Sequence, residues 1–216
     1  MGLERRWRVL ARCSYVAKPF TLKLVSPEPI FCKICDSGAG LYGVVDFHKS
    51  CNVDLQVPVS GVAIYYRRCA TCGFLFTDAF DDWSEDQFKT HIYNDGYHAF
   101  DPDYQTKRPN WNAKLVAQLW SPHKAGMRVL DFGGGNDAFC TALRASGFPF
   151  AVTYDPMVLE HATRPKGKFD LVTCFETLEH LPDPIARIAE GVSEPGAVFY
   201  STMTQPADFD NRGLSW

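Results

Sequence analysis

No apolar run in this 216-residue chain approaches the ~20 residues needed to span a bilayer, which reads against an integral membrane protein. There is no continuous apolar core of the kind a secretory signal carries, so the cytoplasm is the default location. Internal repeats and low-complexity tracts are lacking as well. Neither sign of charge is in excess: 22 Lys and Arg face 25 Asp and Glu, a net charge of −3. That balance offers no global electrostatic basis for a nucleic-acid partner. With 46% hydrophobic residues, the remainder is a globular composition, long enough for one domain or two small ones.

Residues 1–29 are short of acid: Arg5, Arg6, Arg8, Arg12, Lys18 and Lys23 stand against Glu4 and Glu28. This basic extension reads as a solvated segment, with an arginine-rich organelle transit peptide as the alternative. The eight cysteines are not a disulfide pattern. In a chain without a secretory signal, the tight pairs Cys32-Lys-Ile-Cys35 and Cys69-Ala-Thr-Cys72 favour metal over oxidation.

Two such hooks, with residues 36–68 between them, can supply four thiolates to one tetrahedral Zn²⁺. Gly73 suits a tight turn whose backbone NH groups face the sulfurs. Residues 30–80 otherwise read as short β runs broken at Ser37-Gly38 and Ser60-Gly61. So small a module buries too little surface to be comfortably stable alone. A structural zinc contributes roughly 10–16 kcal/mol of apparent binding energy to such a unit. Cys32, Cys35, Cys69 and Cys72 leave no open coordination position, so the expected metal is structural. His48 or Cys51 is the alternative ligand, and reduced, unliganded cysteines are the bland reading. Lys33, Lys49, Arg67 and Arg68 read as an ordinary solvated face, and Cys140 and Cys174 as buried small side chains.

Residues 81–109 form an aromatic, acidic connector, and an alternating α/β pattern occupies 110–216. A helix is expected over Asn110–Trp120, with Trp111, Leu115, Val116 and Leu119 near one face. Strands are expected at Met127–Phe132, Phe150–Tyr154, Phe169–Phe175 and Ala197–Thr202. Helices are expected at Asp137–Ser146, stopped by Gly147, and at Pro184–Glu190. Strands rich in Val, Leu and Phe without clean alternation, separated by helices, imply a parallel sheet covered on both faces. The expected fold class is therefore α/β, Rossmann-like and mostly parallel, preceded by a small β-rich module.

Asp131-Phe-Gly133-Gly134-Gly135 closes one strand and opens a helix. Glycines there let the backbone approach a ligand closely, and the helix N-terminus offers free NH groups to a carboxylate or phosphate. Asp155 ends the next strand, where an acid can accept hydrogen bonds from both ribose hydroxyls. Gly133-x-Gly135-x-x-Ala138 also satisfies the relaxed dinucleotide pattern, so a nicotinamide enzyme is an alternative. Asp131 weighs against it, because an acid at the strand tip suits an amino group better than a pyrophosphate.

Val129-Leu-Asp-Phe-Gly-Gly-Gly-Asn-Asp137 resembles motif I of class I S-adenosylmethionine-dependent methyltransferases. Phe169-Asp-Leu-Val-Thr-Cys-Phe-Glu-Thr-Leu-Glu-His-Leu-Pro-Asp-Pro184 resembles the family's fourth strand and the turn after it. With the cysteine hooks, residues 30–203 resemble the zinc-ribbon methyltransferases that modify sugars and related small metabolites. The resemblance implies that Asp131 holds the methionine amino group, that Gly133, Gly134 and Gly135 line the cofactor, and that Asp155 binds the ribose. It implies that Phe175 and Glu176 flank cofactor or substrate, and that Tyr93 or Tyr97, in the segment Ile92–Tyr97, contacts the cofactor.

Methyl transfer to a hydroxyl or a carbon acid needs a base. His180 is the first candidate, with Glu179 beside it and His98 behind it. Glu176, Glu179 and His180 at i, i+3 and i+4 would share a helical face able to hold a divalent cation, as in the ubiquinone-type O-methyltransferases that this stretch resembles. The chain departs from the family at three places. Asp137 stands where the last motif glycine is expected; it would cap the helix and repel the cofactor carboxylate. Only 14 residues separate Asp155 from Phe169, too few for a helix and a third strand. The final antiparallel strand pair has no room before Trp216, which exposes a sheet edge that a second chain could complete. The expected function is methyl transfer from S-adenosylmethionine to a small polar acceptor, a sugar slightly preferred. The alternative is a non-catalytic zinc-ribbon binding module with a degenerate or truncated methyltransferase domain.

Overall fold

A computed structural model describes residues 30–49, 57–181 and 191–215. The basic extension 1–29, Cys13, Cys51 and the expected helix Pro184–Glu190 lie outside the described residues. The chain divides into two compact units, residues 1–100 with 205–216, and residues 101–204. Among the described residues no helix is long and apolar enough to cross a membrane.

The first unit contains an antiparallel sheet of β1 (Ile30–Phe31), β2 (Gly38–Asp46), β3 (Ala63–Cys69) and β4 (Leu75–Phe76), in that order. The long β2–β3 pair is closed by Asp46, whose carboxylate accepts from the NH groups of His48 (2.9 Å), Ser60 (2.9 Å) and Gly61 (2.8 Å) and from the Ser60 hydroxyl (3.0 Å). One carboxylate thus satisfies the backbone of both loop ends, which is how a loop rich in turn residues holds a single register. Its small core is Cys32, Cys69 and Phe76, with Ile30, Ala39 and Phe74 packed against them.

Helix α1 (Glu85–His91) starts on a capping box in which Ser84 and Gln87 exchange hydrogen bonds. The terminal segment 205–216 belongs to this unit, and the last short helix it carries, Phe209–Arg212, stacks Phe209 on Tyr42 with ring centres 5.4 Å apart. Arg68 lies over both rings and pairs with Asp210 at 2.7 Å.

The second unit is a parallel sheet of β5 (Arg128–Phe132), β6 (Phe150–Tyr154), β7 (Phe169–Phe175) and β8 (Val192–Ser201), ordered β6-β5-β7-β8. Helices α2 (Lys107–Leu119) and α3 (Ala138–Ala145) cover one face. There Ala113, Val116, Phe139, Cys140 and Leu143 meet Val129, Ala151 and Leu171 of the strands. Leu130, Phe132, Val172 and Cys174 point to the other face and form a second cluster. Adjacent residues of one strand thus bury on opposite sides, which is why these strands read as unbroken apolar runs. Each fully buried Val or Leu contributes about 1.5–3 kcal/mol.

Helix α3 ends as its sequence suggests. Gly147 adopts φ +100°, its NH bonds to the Arg144 carbonyl at 3.0 Å, and the Phe148 NH reaches Leu143 at 3.2 Å. This is a Schellman closure, and Phe148 and Leu143 are both fully buried.

Three expectations are corrected. Helix α2 buries Asn112, Ala113 and Val116, whereas Trp111 and Leu119 are exposed; the apolar stripe is turned by one residue, toward the cluster that Ala113 and Val116 share with α3 and the strands. Strand β8 begins at Val192, several residues before the expected Ala197, because its first residue pairs with Phe169 across an irregular register. Arg67 is buried and bonds to Asp78 at 3.3 Å, so it is no part of a solvated face. Between β6 and β7 the only regular element is a single 3₁₀ turn, Leu159–His161, in keeping with the short connection.

Candidate functional site

The glycine turn is built by strand register. Asp131 on β5 lies level with Thr153 on β6 and Thr173 on β7. It is 3% exposed and accepts a 2.7 Å hydrogen bond from the Thr173 hydroxyl. No cation bonds to it among the described residues. Burial, opposed by the Thr173 bond and reinforced by the charges of Asp155 and Asp137, pushes its carboxyl up to about 7. A buried acid with spare acceptor capacity is suited to receive a cationic group of a ligand.

The three glycines serve different ends. Gly133 has φ +75° and donates its NH to the Tyr154 carbonyl at 2.8 Å; a side chain there would run into Thr177. Gly134 covers the Asp131 carboxylate so closely that an added Cβ would collide with it and lie 2.8 Å from the Thr153 methyl. Gly135 has φ +59° and open space around it, so only its backbone conformation calls for glycine. Its NH donates to Asp155 Oδ2 at 2.9 Å, and the Met157 NH donates to Oδ1 at 2.8 Å. Asp155 is thereby held at the mouth of the turn with lone pairs remaining for a diol. This bare backbone cradle over a buried acid, with a second acid beside it, fits the amino and ribose groups of S-adenosylmethionine.

Asp137 opens α3 at φ +66°. That conformation explains why a glycine is expected at this place; Asp is among the few other residues that tolerate it. The expected helix cap is not formed. The Asp137 carboxylate instead accepts from the hydroxyls of Thr153 (2.6 Å) and Thr141 (2.8 Å) and pairs with Arg144. Although burial opposes them, the bonds from Arg144, Thr153 and Thr141 hold its carboxyl below the usual range. The repulsion expected from this acid thus comes from a carboxylate that is paired with an adjacent guanidinium.

Phe175, at the end of β7, turns its ring against Phe139 (5.4 Å) and Phe199 (5.8 Å) and packs on the core cluster. Glu176 follows at φ +51°, with its NH on the Ser201 carbonyl (3.0 Å) and its carboxylate accepting from the Ser201 hydroxyl (2.7 Å). Leu178–His180 is one 3₁₀ turn. Glu176 lies outside that turn in a left-handed conformation, so the three residues do not share an α-helical face, and among the described residues only the four cysteines gather as a metal-binding group. Desolvation raises Glu179 and lowers His180, although both residues are exposed. Tyr97 belongs to the first unit, where its ring meets Tyr93 edge-on at 5.2 Å. His98 lies in the same unit, its ring bonded to the Asp95 carbonyl at 2.7 Å.

In the first unit, the Sγ atoms of Cys32, Cys35, Cys69 and Cys72 all lie within 4.8 Å of one another. Cys32–Cys72 is 3.6 Å and Cys35–Cys69 is 3.5 Å, close to the ~3.8 Å between sulfurs each ~2.3 Å from a tetrahedral zinc. NH groups face the sulfurs: Ile34 on Cys32, and Thr71 and Cys72 on Cys69, each at 3.4 Å. The four thiols share their protons unevenly: the Cys72 NH, opposed by burial and aided by the Thr71 NH, lowers Cys69 to about 6, while Cys72, against the pull of the Phe74 NH, is pushed up by burial and by the neighbouring sulfurs. The His48 ring is instead engaged with the Pro58 carbonyl at 2.8 Å and is no part of the cluster. The donor set fits zinc.

Residues that the sequence reading did not select are Thr153, Thr173, Thr177 and Arg144. The first two carried a signal: each is a hydroxyl inside an apolar strand, where an unpaired polar group is costly. A cleft lined in part by Arg164, Lys166 and Phe169 contains none of the selected residues.

Residues 104–216, just over half of the chain, match a family described as a methyltransferase domain. The chain is also similar to ubiquinone biosynthesis O-methyltransferases of Escherichia coli, Shigella boydii and Escherichia fergusonii, each 42% identical over 62 residues. That stretch covers 27% of this chain and 23% of each relative. The parallel sheet with its glycine turn and buried strand-tip acid, taken with the family match, shows that the chain belongs to the methyltransferase domain family of class I S-adenosylmethionine-dependent enzymes.

Proposed function

We propose that the glycine turn binds S-adenosylmethionine and that the chain transfers its methyl group to a small polar acceptor bearing a hydroxyl, a sugar or related metabolite. The observation that carries the reading is Asp131, a buried carboxylate under a glycine backbone with no cation bonded to it among the described residues. When bound, the cofactor supplies an electrophilic methyl on a sulfonium sulfur. Asp131 receives its amino group, Asp155 its ribose, and Gly133, Gly134 and Gly135 line it. His180 takes the proton of the acceptor hydroxyl, with Glu179 orienting the acceptor, as the new oxygen–carbon bond forms and the sulfide leaves. The similarity to enzymes named O-methyltransferases supports an oxygen acceptor. Glu176 and Phe175 shape the wall beside the site.

In the same reading, residues 30–80 are a zinc-stapled module, 81–109 a connector and 110–216 the transfer domain, apart from the segment 205–216, which belongs to the first compact unit. The four cysteines hold Zn²⁺ for stability and take no part in the chemistry. Strand β8 is an edge of the described sheet, to which a strand of a second chain would add. Titration calorimetry of the zinc-loaded chain with S-adenosylhomocysteine, and with NAD as the control, tests the assignment. Binding of the former alone is expected; binding of NAD alone, or of neither ligand to a folded sample, overturns it.

A further inference from the structure

A side chain other than glycine in the left-handed region persists only where its surroundings hold it there. Asp137 is held from two elements: by Thr153 on β6, and by Thr141 and Arg144 on α3. Arg144 is itself fixed by a second bond, to the Ala151 carbonyl at 2.9 Å. The pair therefore ties the opening of α3 to β6, directly behind the glycine turn. Asp131 from β5 and Asp155 from the end of β6 bring two more carboxylates to the same place. Thr173 on β7 contributes only a hydroxyl. Among the described residues, Arg144 is the cation hydrogen-bonded within this group of acids.

The arrangement matters for a ligand with an amino-acid tail. Its ammonium is drawn to Asp131, which turns its carboxylate toward the opening of α3, where Asp137 stands and the Ala138 NH already donates to Asn136 Oδ1 at 3.3 Å. An acid at that position opposes the carboxylate unless its charge is matched.

We propose that the Asp137–Arg144 pair determines ligand specificity at the cofactor site: Arg144 cancels the charge at the opening of α3 and so admits a ligand that carries a carboxylate. This rests on the reading of the glycine turn as the S-adenosylmethionine site. Arg144 touches no ligand group; it acts through Asp137.

The test is titration calorimetry of the full zinc-loaded chain with S-adenosylhomocysteine and with its decarboxylated analogue, which keeps the ammonium. Arg144→Gln is expected to weaken S-adenosylhomocysteine about tenfold at low salt, the effect of one unmatched charge several ångströms away at intermediate dielectric. The loss should shrink as salt screens it, and the decarboxylated ligand should bind as well as before or better. Adding Asp137→Asn to Arg144→Gln should restore the carboxylate ligand. An equal loss for both ligands would mean that Arg144 only supports the fold, and that result, or no loss at all, overturns the proposal. If Arg144→Gln does not fold, Asp137→Asn alone decides: it should tighten the carboxylate ligand relative to its analogue, and an unchanged ratio overturns the proposal. Failure of the unaltered protein to bind either ligand would instead overturn the reading of the site itself.

Discussion

Replacing Asp131 by asparagine should separate the stability of the fold from its capacity to hold the cofactor. In the folded chain this carboxyl titrates near 7 where its ordinary value is 3.8. Between those values the folded state keeps a proton that the unfolded chain has released. The stability gained from that proton is present in full below 3.8 and is lost as pH rises through about 7. The whole shift corresponds to about 4 kcal/mol, and linkage places about 1 kcal/mol of the loss between pH 6 and pH 8. Asparagine keeps an acceptor for the Thr173 hydroxyl but cannot ionise. Urea unfolding at the two pH values should therefore show the unaltered protein losing about 1 kcal/mol more than Asp131→Asn. Saturating S-adenosylhomocysteine, at about 100 times its Kd, should stabilise the unaltered protein by about 2.7 kcal/mol and leave the variant unmoved. Parallel pH profiles would refute the argument from burial. Equal stabilisation by the ligand would refute the role of Asp131 as the amino anchor.

Cys69→Ser should remove bound zinc and lower the melting temperature, since a structural metal contributes most of the stability of so small a module; an unaltered melting curve with less metal would argue against a structural role. Gly134→Ala places a methyl against the Asp131 carboxylate and the Thr153 methyl. It should cost about 1–3 kcal/mol in denaturant unfolding and lower cofactor affinity, whereas Gly135→Ala, with open space around it, should show only backbone strain of about 1–2 kcal/mol. Equal effects at the two glycines would mean that the close cover over Asp131 is not the constraint.

Local patterns in the chain were sufficient to define much of the architecture. Strands Phe150–Tyr154 and Phe169–Phe175 occur at the expected bounds because each is a short apolar run bounded by turn residues, the second buried on both faces and the first an edge strand buried mainly on one. Gly147 marks the end of α3 because its closure needs a positive φ. The cysteine hooks and the turn at Gly133–Gly135 were legible for the same reason: the chemistry of each is set by residues a few positions apart.

Tertiary structure alone decided the rest. Asp131 and Thr173 are 42 residues apart in sequence, and only the register of β5 with β7 brings them together. Arg144 neutralises Asp137 because two turns of helix bring its guanidinium back to the strand edge, an outcome that a glycine-for-acid comparison could not show. Trp111 faces solvent while Asn112 is buried, because the contact of α2 with the sheet, and not its own hydrophobicity, sets its rotation. Glu176 leaves the face shared by Glu179 and His180 because a left-handed residue interrupts the helical spacing on which that expectation depended. A sequence window carries periodicity and turn chemistry; register, rotation and the pairing of charges depend on segments that the window does not contain.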